Sequence, residues 1–177
     1  MMLINKGSKT SNPAAPFRVI RVYIRLPPET GGMEIHIAKL SESQRNLGTE
    51  VINLYNTGYT DSQSVKVLPW LNLSSVKPTV VRNILFYSAA LAAALRLRSN
   101  LDTVVHIHGD WSDFLFSKIL ARALSAKIVL ATVHDSISMS KYPLYRFALA
   151  HCKLVFATGK REQRVLKYLL GRETYHL

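Results

Sequence analysis

Pro27-Pro28-Glu29-Thr30-Gly31-Gly32-Met33-Glu34-Ile35-His36 joins two segments of different periodicity. Before it, Val19-Ile20-Arg21-Val22-Tyr23-Ile24 is an apolar, β-branched run that reads as a buried strand. After it, Ile37, Leu40, Gln44 and Leu47 recur at helical spacing. The join is therefore strand, loop, helix. Paired prolines leave the strand and paired glycines enter the helix, where the absence of a Cβ permits close approach. The free N–H groups of a helix start favour an anion, so Gly31 and Gly32 are candidate contacts for a phosphate-bearing ligand. The competing reading is a turn that only redirects the chain. Glu34, two residues inside the helix, could contact that ligand, orient the loop or cap its N–H groups.

Outward from this join the same alternation repeats. Gly48 stands where a helix-ending glycine is expected, and a second strand spans Glu50 to Tyr55. A short third strand is expected over Ser64 to Leu68, followed by an irregular crossing loop from Pro69 to Pro78. An alanine-rich helix follows over Val80 to Arg98, its small residues suited to lying close on a sheet. Thr103 to Gly109 is a strand, Ser112 to Leu124 one helix, Lys127 to Asp135 a strand, Lys141 to Ala150 a short helix. Leu154 to Ala157 and then Gly159 to Leu170 close the series as strand and helix. The strands are near-continuous apolar runs separated by helices, the mark of a parallel sheet covered on both faces. The expected fold is a doubly wound, Rossmann-like α/β domain with a parallel sheet.

Composition narrows the function. A chain of 177 residues with 48% hydrophobic and 19% charged content is long enough for one domain with a proper core. Its one cysteine, Cys152, excludes an internal disulfide framework. Residues 1–16 are small and polar, without a secretory apolar run; they read as a flexible leader, and a cytoplasmic location is expected. The formal net charge of +12 suits phosphorylated ligands or the anionic inner face of a membrane, on which the chain would sit peripherally. Nucleic acid is not expected as a partner, because no basic stretch is interleaved with aromatics.

In a doubly wound domain, ligands sit beyond the carboxyl ends of the strands. The residues leaving each strand are then the candidates: Pro27 to Glu34, His106 to Asp110, His134-Asp135 and Thr158 to Arg161. His134 ends its strand beside Asp135; near neutral pH an imidazole serves as donor or acceptor. His106 and His108 are expected on opposite faces of their strand, with His108 turned to the cleft and His106 to the core. Asp110 could bind ligand hydroxyls or cap the helix after it. A metal site is not expected, since no third ligand has suitable spacing. The Gly-x-Ser-x-Gly elbow of hydrolases and the dinucleotide fingerprint Gly-x-Gly-x-x-Gly are both absent.

Taken together, Pro27 to Glu34, the helix exit Gly48-Thr49-Glu50-Val51, Val104-Val105-His106-Ile107-His108-Gly109 and Thr132-Val133-His134-Asp135 stand in a familiar order. From about residue 18 to 177 the chain resembles retaining glycosyltransferases of the group 1, GT-B kind. The resemblance implies two Rossmann-like lobes with the active site between them. The first lobe mainly holds the acceptor; the second binds the nucleotide-sugar donor. Residues 17–177 look like the first lobe alone, the donor-binding domain being absent. The resemblance further implies transfer with retention to a glycan or lipid-linked acceptor, as in polysaccharide biosynthesis. The nucleotide sugar would serve as substrate, with no cofactor, and the isolated lobe would be inactive. His134 would lie by the reacting sugar as the catalytic group, with Gly31, Gly32, Glu34, His108, Asp110 and Asp135 contacting substrate. Thr49 stands where the family often has histidine. The alternative is a non-catalytic α/β module that holds a phosphorylated ligand or a protein partner.

Overall fold

The structure, a computed structural model, describes residues 17–28, 31–58, 63–134 and 136–177. The leader, Glu29, Thr30 and Asp135 lie outside the described residues. In chain order the elements are β1 (Phe17–Val22), α1 (Gly32–Asn46), β2 (Glu50–Tyr55), β3 (Val65–Lys66) and α2 (Thr79–Arg96). There follow β4 (Asp102–Gly109), α3 (Trp111–Phe114), α4 (Ser117–Ala123), β5 (Ile128–Val133), α5 (Tyr142–Leu149), β6 (Leu154–Ala157), α6 (Lys160–Leu170) and β7 (Tyr175–His176). The strands form one sheet in the order β3-β2-β1-β4-β5-β6-β7. Every pairing is parallel. The doubly wound parallel sheet is as expected, and its direction reverses between β1 and β4. That reversal is the switch point at which such sheets bind ligands.

The two faces of the sheet are built differently. Residues two apart on a strand share a face. Ile20 and Val22, Ile52 and Leu54, Val105 and Ile107, and Ala131 and Val133 lie on one face and enter the main core. Phe86, Ala90 and Ala94 of α2, Phe114 of α3, Leu120 of α4 and Leu149 of α5 pack onto them. Ala90 and Ala94 are fully buried, so the alanine-rich helix lies close as expected. The opposite face carries Arg21, Asn53, His106, His108 and Thr132, all buried, with a small apolar cluster of Tyr23, Leu26, Ile37 and Tyr55 beneath α1.

Two local expectations need correction, and one element is added. The third strand is only Val65–Lys66; beyond it the chain is held by Asn56, whose Nδ2 donates to the carbonyls of Val67 and Leu71. The helix expected over Ser112 to Leu124 is two helices. Ser117 Oγ donates to the Phe114 carbonyl at 2.5 Å, a side-chain bond that competes with the helical ladder, and Phe116 stacks flat on Tyr87 at 4.6 Å. The chain end adds a seventh strand that no apolar run announces. At the end of α1, by contrast, Gly48 has φ +83, and the Gly48 and Thr49 N–H groups donate to the Arg45 and Gln44 carbonyls. This is a left-handed helix stop of the expected kind.

Candidate functional site

At the carboxyl edge of the sheet a cleft of about 450 Å³ is lined by Gly32, Met33, His36, His134, Thr158 and Leu177. Helical spacing puts Gly32, Met33 and His36 on one side of the first turn of α1. His134 follows β5, and Thr158 follows β6. An added Cβ at Gly31 would collide with the Glu34 carboxylate, whereas one at Gly32 would meet nothing within 4 Å. A side chain at Gly31 would push the Glu34 carboxylate aside, and Gly32 leaves the helix start open to the cleft. Glu34 is buried, accepting from Tyr23 OH at 3.2 Å and pairing with Arg25 Nε at 3.3 Å. It braces the loop from beneath and does not line the cleft.

Behind His134 lies a stack of imidazoles. His134 Nε2 and His108 Nδ1 are 3.0 Å apart and hydrogen-bonded. The His108 and His106 rings are 4.1 Å apart, and His106 Nε2 bonds Thr132 Oγ1 at 2.8 Å. His36 faces both His108 and His134 with ring centroids at 6.3 Å. The expectation that His106 and His108 face apart is thus overturned: two residues apart on a strand, they share the face. His108 is fully buried and reaches the cleft through His134. Its Nε2 is buried without a hydrogen-bond partner, as is His36 Nε2.

No carboxylate offsets this group among the described residues. Arg21, in register with His106 across the β1–β4 ladder, is fully buried. It donates to Ser41 Oγ at 2.5 Å and to Gln44 Oε1 at 2.7 Å. Burial, then Arg45, lowers its value to about 10, so it stays charged at neutral pH. Burial first, and then the Arg21 charge, holds His106 well below the usual histidine range. Burial and then His106 do the same to His108. Burial, followed by His36, lowers His134 to about 4. The rings are neutral near pH 7, beside a buried cation that favours anions.

Asp110 begins α3, where its carboxylate accepts from Ser112 N–H at 2.7 Å. Asp113 Oδ2 returns to accept from Asp110 N–H at 2.9 Å, completing a capping box. Gly109 is obligatory here: its φ is +149, and a Cβ would run into the Asp113 side chain. Asp113 also accepts from Tyr87 OH at 3.1 Å, and burial pushes its carboxyl up to about 7.

The sequence model of Glycosyltransferase Family 4 matches residues 30–174. The chain belongs to Glycosyltransferase Family 4. No curated protein matches the chain. Among solved structures, a Listeria monocytogenes protein assigned as a UDP-N-acetylglucosamine 2-epimerase is similar, with a TM-score of 0.56 and 12% identity. The match covers 87% of this chain and 42% of that one, so the chain spans less than half the length of that relative. At such identity the likeness is one of fold.

In this Family 4 domain the expected convergence of Gly32, His134 and Thr158 on one rim is present, with His108 bonded behind it. Asp110 sits in a cap and Glu34 in a brace; neither lines the cleft. Asp135 lies outside the described residues. Sequence reasoning passed over His36, which the chain pattern hides between Ile35 and Ile37; its place four residues after Gly32 was the available signal. Arg21 was likewise not singled out, and Asp113 reads from sequence only as an acid at a helix start.

Proposed function

We propose that this Family 4 chain is the acceptor-side lobe of a glycosyltransferase that passes a sugar from a nucleotide diphosphate to a hydroxyl of a glycan or lipid-linked acceptor, with retention. Residues 17–177 form that lobe, and a second lobe carries the donor grip. The observation that carries the reading is His134 opposite the open first turn of α1 in one cleft, at the switch point of a parallel sheet. A diphosphate there would meet the free N–H groups after Gly32 and the positive field of Arg21. A protein assigned to a UDP-sugar reaction shares the fold, which favours a nucleotide sugar over other phosphorylated ligands.

The hydrogen-bond pattern supports a donor role for His134. Each neutral ring has one N–H. A buried N–H without an acceptor is rarer than a buried acceptor without a donor, and His108 Nε2 is partnerless. His108 then keeps its proton on Nδ1 and donates to His134 Nε2. His134 consequently bears its proton on Nδ1 and presents a donor to the ligand. A neutral donor there stabilises oxygen charge developing on the departing phosphate or holds a sugar hydroxyl. Transfer to the acceptor needs the second lobe, so the lobe alone should bind without turnover.

The test has two arms. Titrating the chain with nucleoside diphosphates while recording amide and imidazole NMR signals should shift Gly32, Met33, His36 and His134 together. Shifts elsewhere, or none, would remove the cleft as the site. With the two-lobe enzyme, NMR of the product should show the anomeric configuration of the donor; the opposite configuration would remove retention.

A further inference from the structure

We infer that the protein carries a saccharide subsite outside the cleft, at the ends of β2 and β3, where Trp70 stacks on a ring of a long glycan. This subsite extends the acceptor-side reading proposed above and rests on it. A cavity of about 310 Å³ beyond these strands is lined by Thr57, Lys66, Pro69, Trp70 and Asn72, among others. Trp70 is 81% exposed, whereas Trp111 packs against the main core. The exposed indole is nevertheless fixed in place. Pro69 and Trp70 are the central residues of a turn closed by the Leu71 N–H on the Leu68 carbonyl at 3.0 Å. Asn56, buried just after β2, donates to the Leu68 and Leu71 carbonyls at 3.2 and 2.9 Å and accepts from the Leu73 N–H at 2.8 Å. Leu68 stands at φ +48, a conformation costly for a residue other than glycine, and the Asn56 bonds hold it there. A ring positioned before binding loses little freedom when a ligand arrives.

The groups around the indole select the ligand. The C–H hydrogens on one side of a pyranose ring are electropositive and suit the negative face of an indole, while the ring's edge bears hydroxyls that need hydrogen bonds. Lys66 and Asn72 are exposed beside Trp70. Lys66 forms no ion pair among the described residues. Asn72 commits its Oδ1 to the Ser74 N–H at 3.0 Å, which leaves its amide N–H groups for a ligand. With the indole N–H these make three donors for hydroxyl oxygens. An apolar peptide laid on Trp70 would cover the same donors without satisfying them. The place on the sheet sets the ligand's length. The Leu26 N–H bonds the Thr57 carbonyl at 2.9 Å, and a Cβ at Gly58 would run into the Leu26 and Pro27 carbonyl oxygens. The cavity therefore abuts the loop that leads from β1 to Gly31 and Gly32, on the same rim as the cleft. Neighbouring strands lie about 4.8 Å apart, which puts β2 and β3 about 14–19 Å from β5 and His134. One sugar cannot touch both places; a chain of several rings can.

NMR titration of the whole chain tests it, following the Trp70 indole N–H and the Lys66 and Asn72 amides. The probes are malto-, cello- and chito-oligosaccharides, each as the mono-, tri- and hexasaccharide. At least one series should shift these signals, its hexasaccharide binding more tightly than its monosaccharide. Trp70→Ala should weaken that binding about tenfold through loss of the stacking face, and Trp70→Phe should restore most of it. Lys66→Gln should cost about fivefold, the net worth of one hydrogen bond. Four results overturn the inference: no series shifts the signals, a monosaccharide binds as tightly as its hexasaccharide, Trp70→Ala binds as tightly as the unaltered chain, or adenosine or uridine diphosphate alone moves the indole signal. The last would assign the surface to a nucleobase. The cleft reading fails by a different result, nucleoside diphosphates that leave Gly32 and His134 unmoved. Circular dichroism of each variant confirms folding, and the exposed positions chosen leave the core intact.

Discussion

The two faces of the one sheet share strands, register and hydrogen-bond ladder, yet they hold opposite kinds of side chain. Toward α2–α6 the face is almost wholly apolar, with Ile20, Leu54, Val105, Ile107, Ala131 and Val133 buried together. Toward α1 it carries a buried arginine, an asparagine, two histidines and a threonine. Every polar group on the second face gives up water, which costs unless hydrogen bonds replace it. Several are replaced: Arg21 by Ser41 and Gln44, His106 by Thr132, His108 by His134. Others are not, including Arg21 Nε and His108 Nε2. One face therefore supplies the stability that the other spends on arranging polar groups beneath a cleft.

The largest expected effect tests the apolar face. Phe86 of α2 is 1% exposed at its centre, and truncating a buried phenylalanine costs about 3–5 kcal/mol. Phe86→Ala should lower the unfolding free energy by that much, read from the urea midpoint and slope, without changing which ligands shift the cleft resonances. Loss of ligand response in a still-folded Phe86→Ala protein would mean that the faces are not separable in this way.

Next is Gly109, where the two faces meet at the end of β4. Alanine there must adopt φ near +149 and displace Asp113 from its cap. About 1–3 kcal/mol is expected from the backbone conformation, read by denaturation. The His134 signals should also move, since His134 N–H bonds the Gly109 carbonyl at 3.4 Å. An unchanged midpoint would show that the loop relaxes freely.

These two positions also show what sequence could and could not reveal. Continuous apolar strands separated by amphipathic or alanine-rich segments made the parallel sheet legible, because burial on both faces leaves no alternation to misread. Gly48 was legible because a left-handed helix stop demands a residue type. Gly109 stood next to His108, but its need for glycine depends on Asp113 folding back, a contact that only the three-dimensional cap creates. Asp113 itself reads as a helix-start carboxylate; its enclosure depends on Tyr87, which arrives from α2. The pairing of His106 with His108 on one face follows from strand geometry alone and was available to sequence. Convergence of His108 with His134 on one rim was expected from the strand ends; their direct hydrogen bond and the approach of the His36 ring were not, because those contacts depend on how β4, β5 and α1 pack across the switch point.

Acid should distinguish the faces by a smaller amount. His134 has a folded value of about 4 against an ordinary value near 6.5, and His106 and His108 are also lowered. In this window the unfolded chain binds more protons than the folded one. The stability these rings contribute is complete above about pH 6.5 and is lost as pH falls toward 4. Asp113 works the other way: with a folded value of about 7, it takes up its proton in the folded state first and offsets part of the loss. The urea midpoint should therefore fall between neutral and mildly acid pH, and fall more steeply in Asp113→Asn. A midpoint that rises on acidification would contradict the neutral histidine stack.

The smallest effect on stability belongs to His134, and it is the one that isolates the cleft. His134 is half-buried and lies outside both apolar clusters. His134→Ala should change the unfolding free energy by about 1 kcal/mol or less, the worth of one hydrogen bond, while abolishing the ligand response of Gly32 and His36. The tautomer gives a finer reading. In long-range proton–nitrogen NMR at neutral pH, His134 should carry its proton on Nδ1 because His108 donates to Nε2. In His108→Phe that donor is gone, and His134 should revert to the Nε2–H form that free histidine prefers. If His134 already bears Nε2–H in the unaltered chain, it offers the cleft an acceptor. The buried stack would then bear the cost of an unpaired N–H at His108, and the division between a stabilising face and a working face would fail at its most specific point.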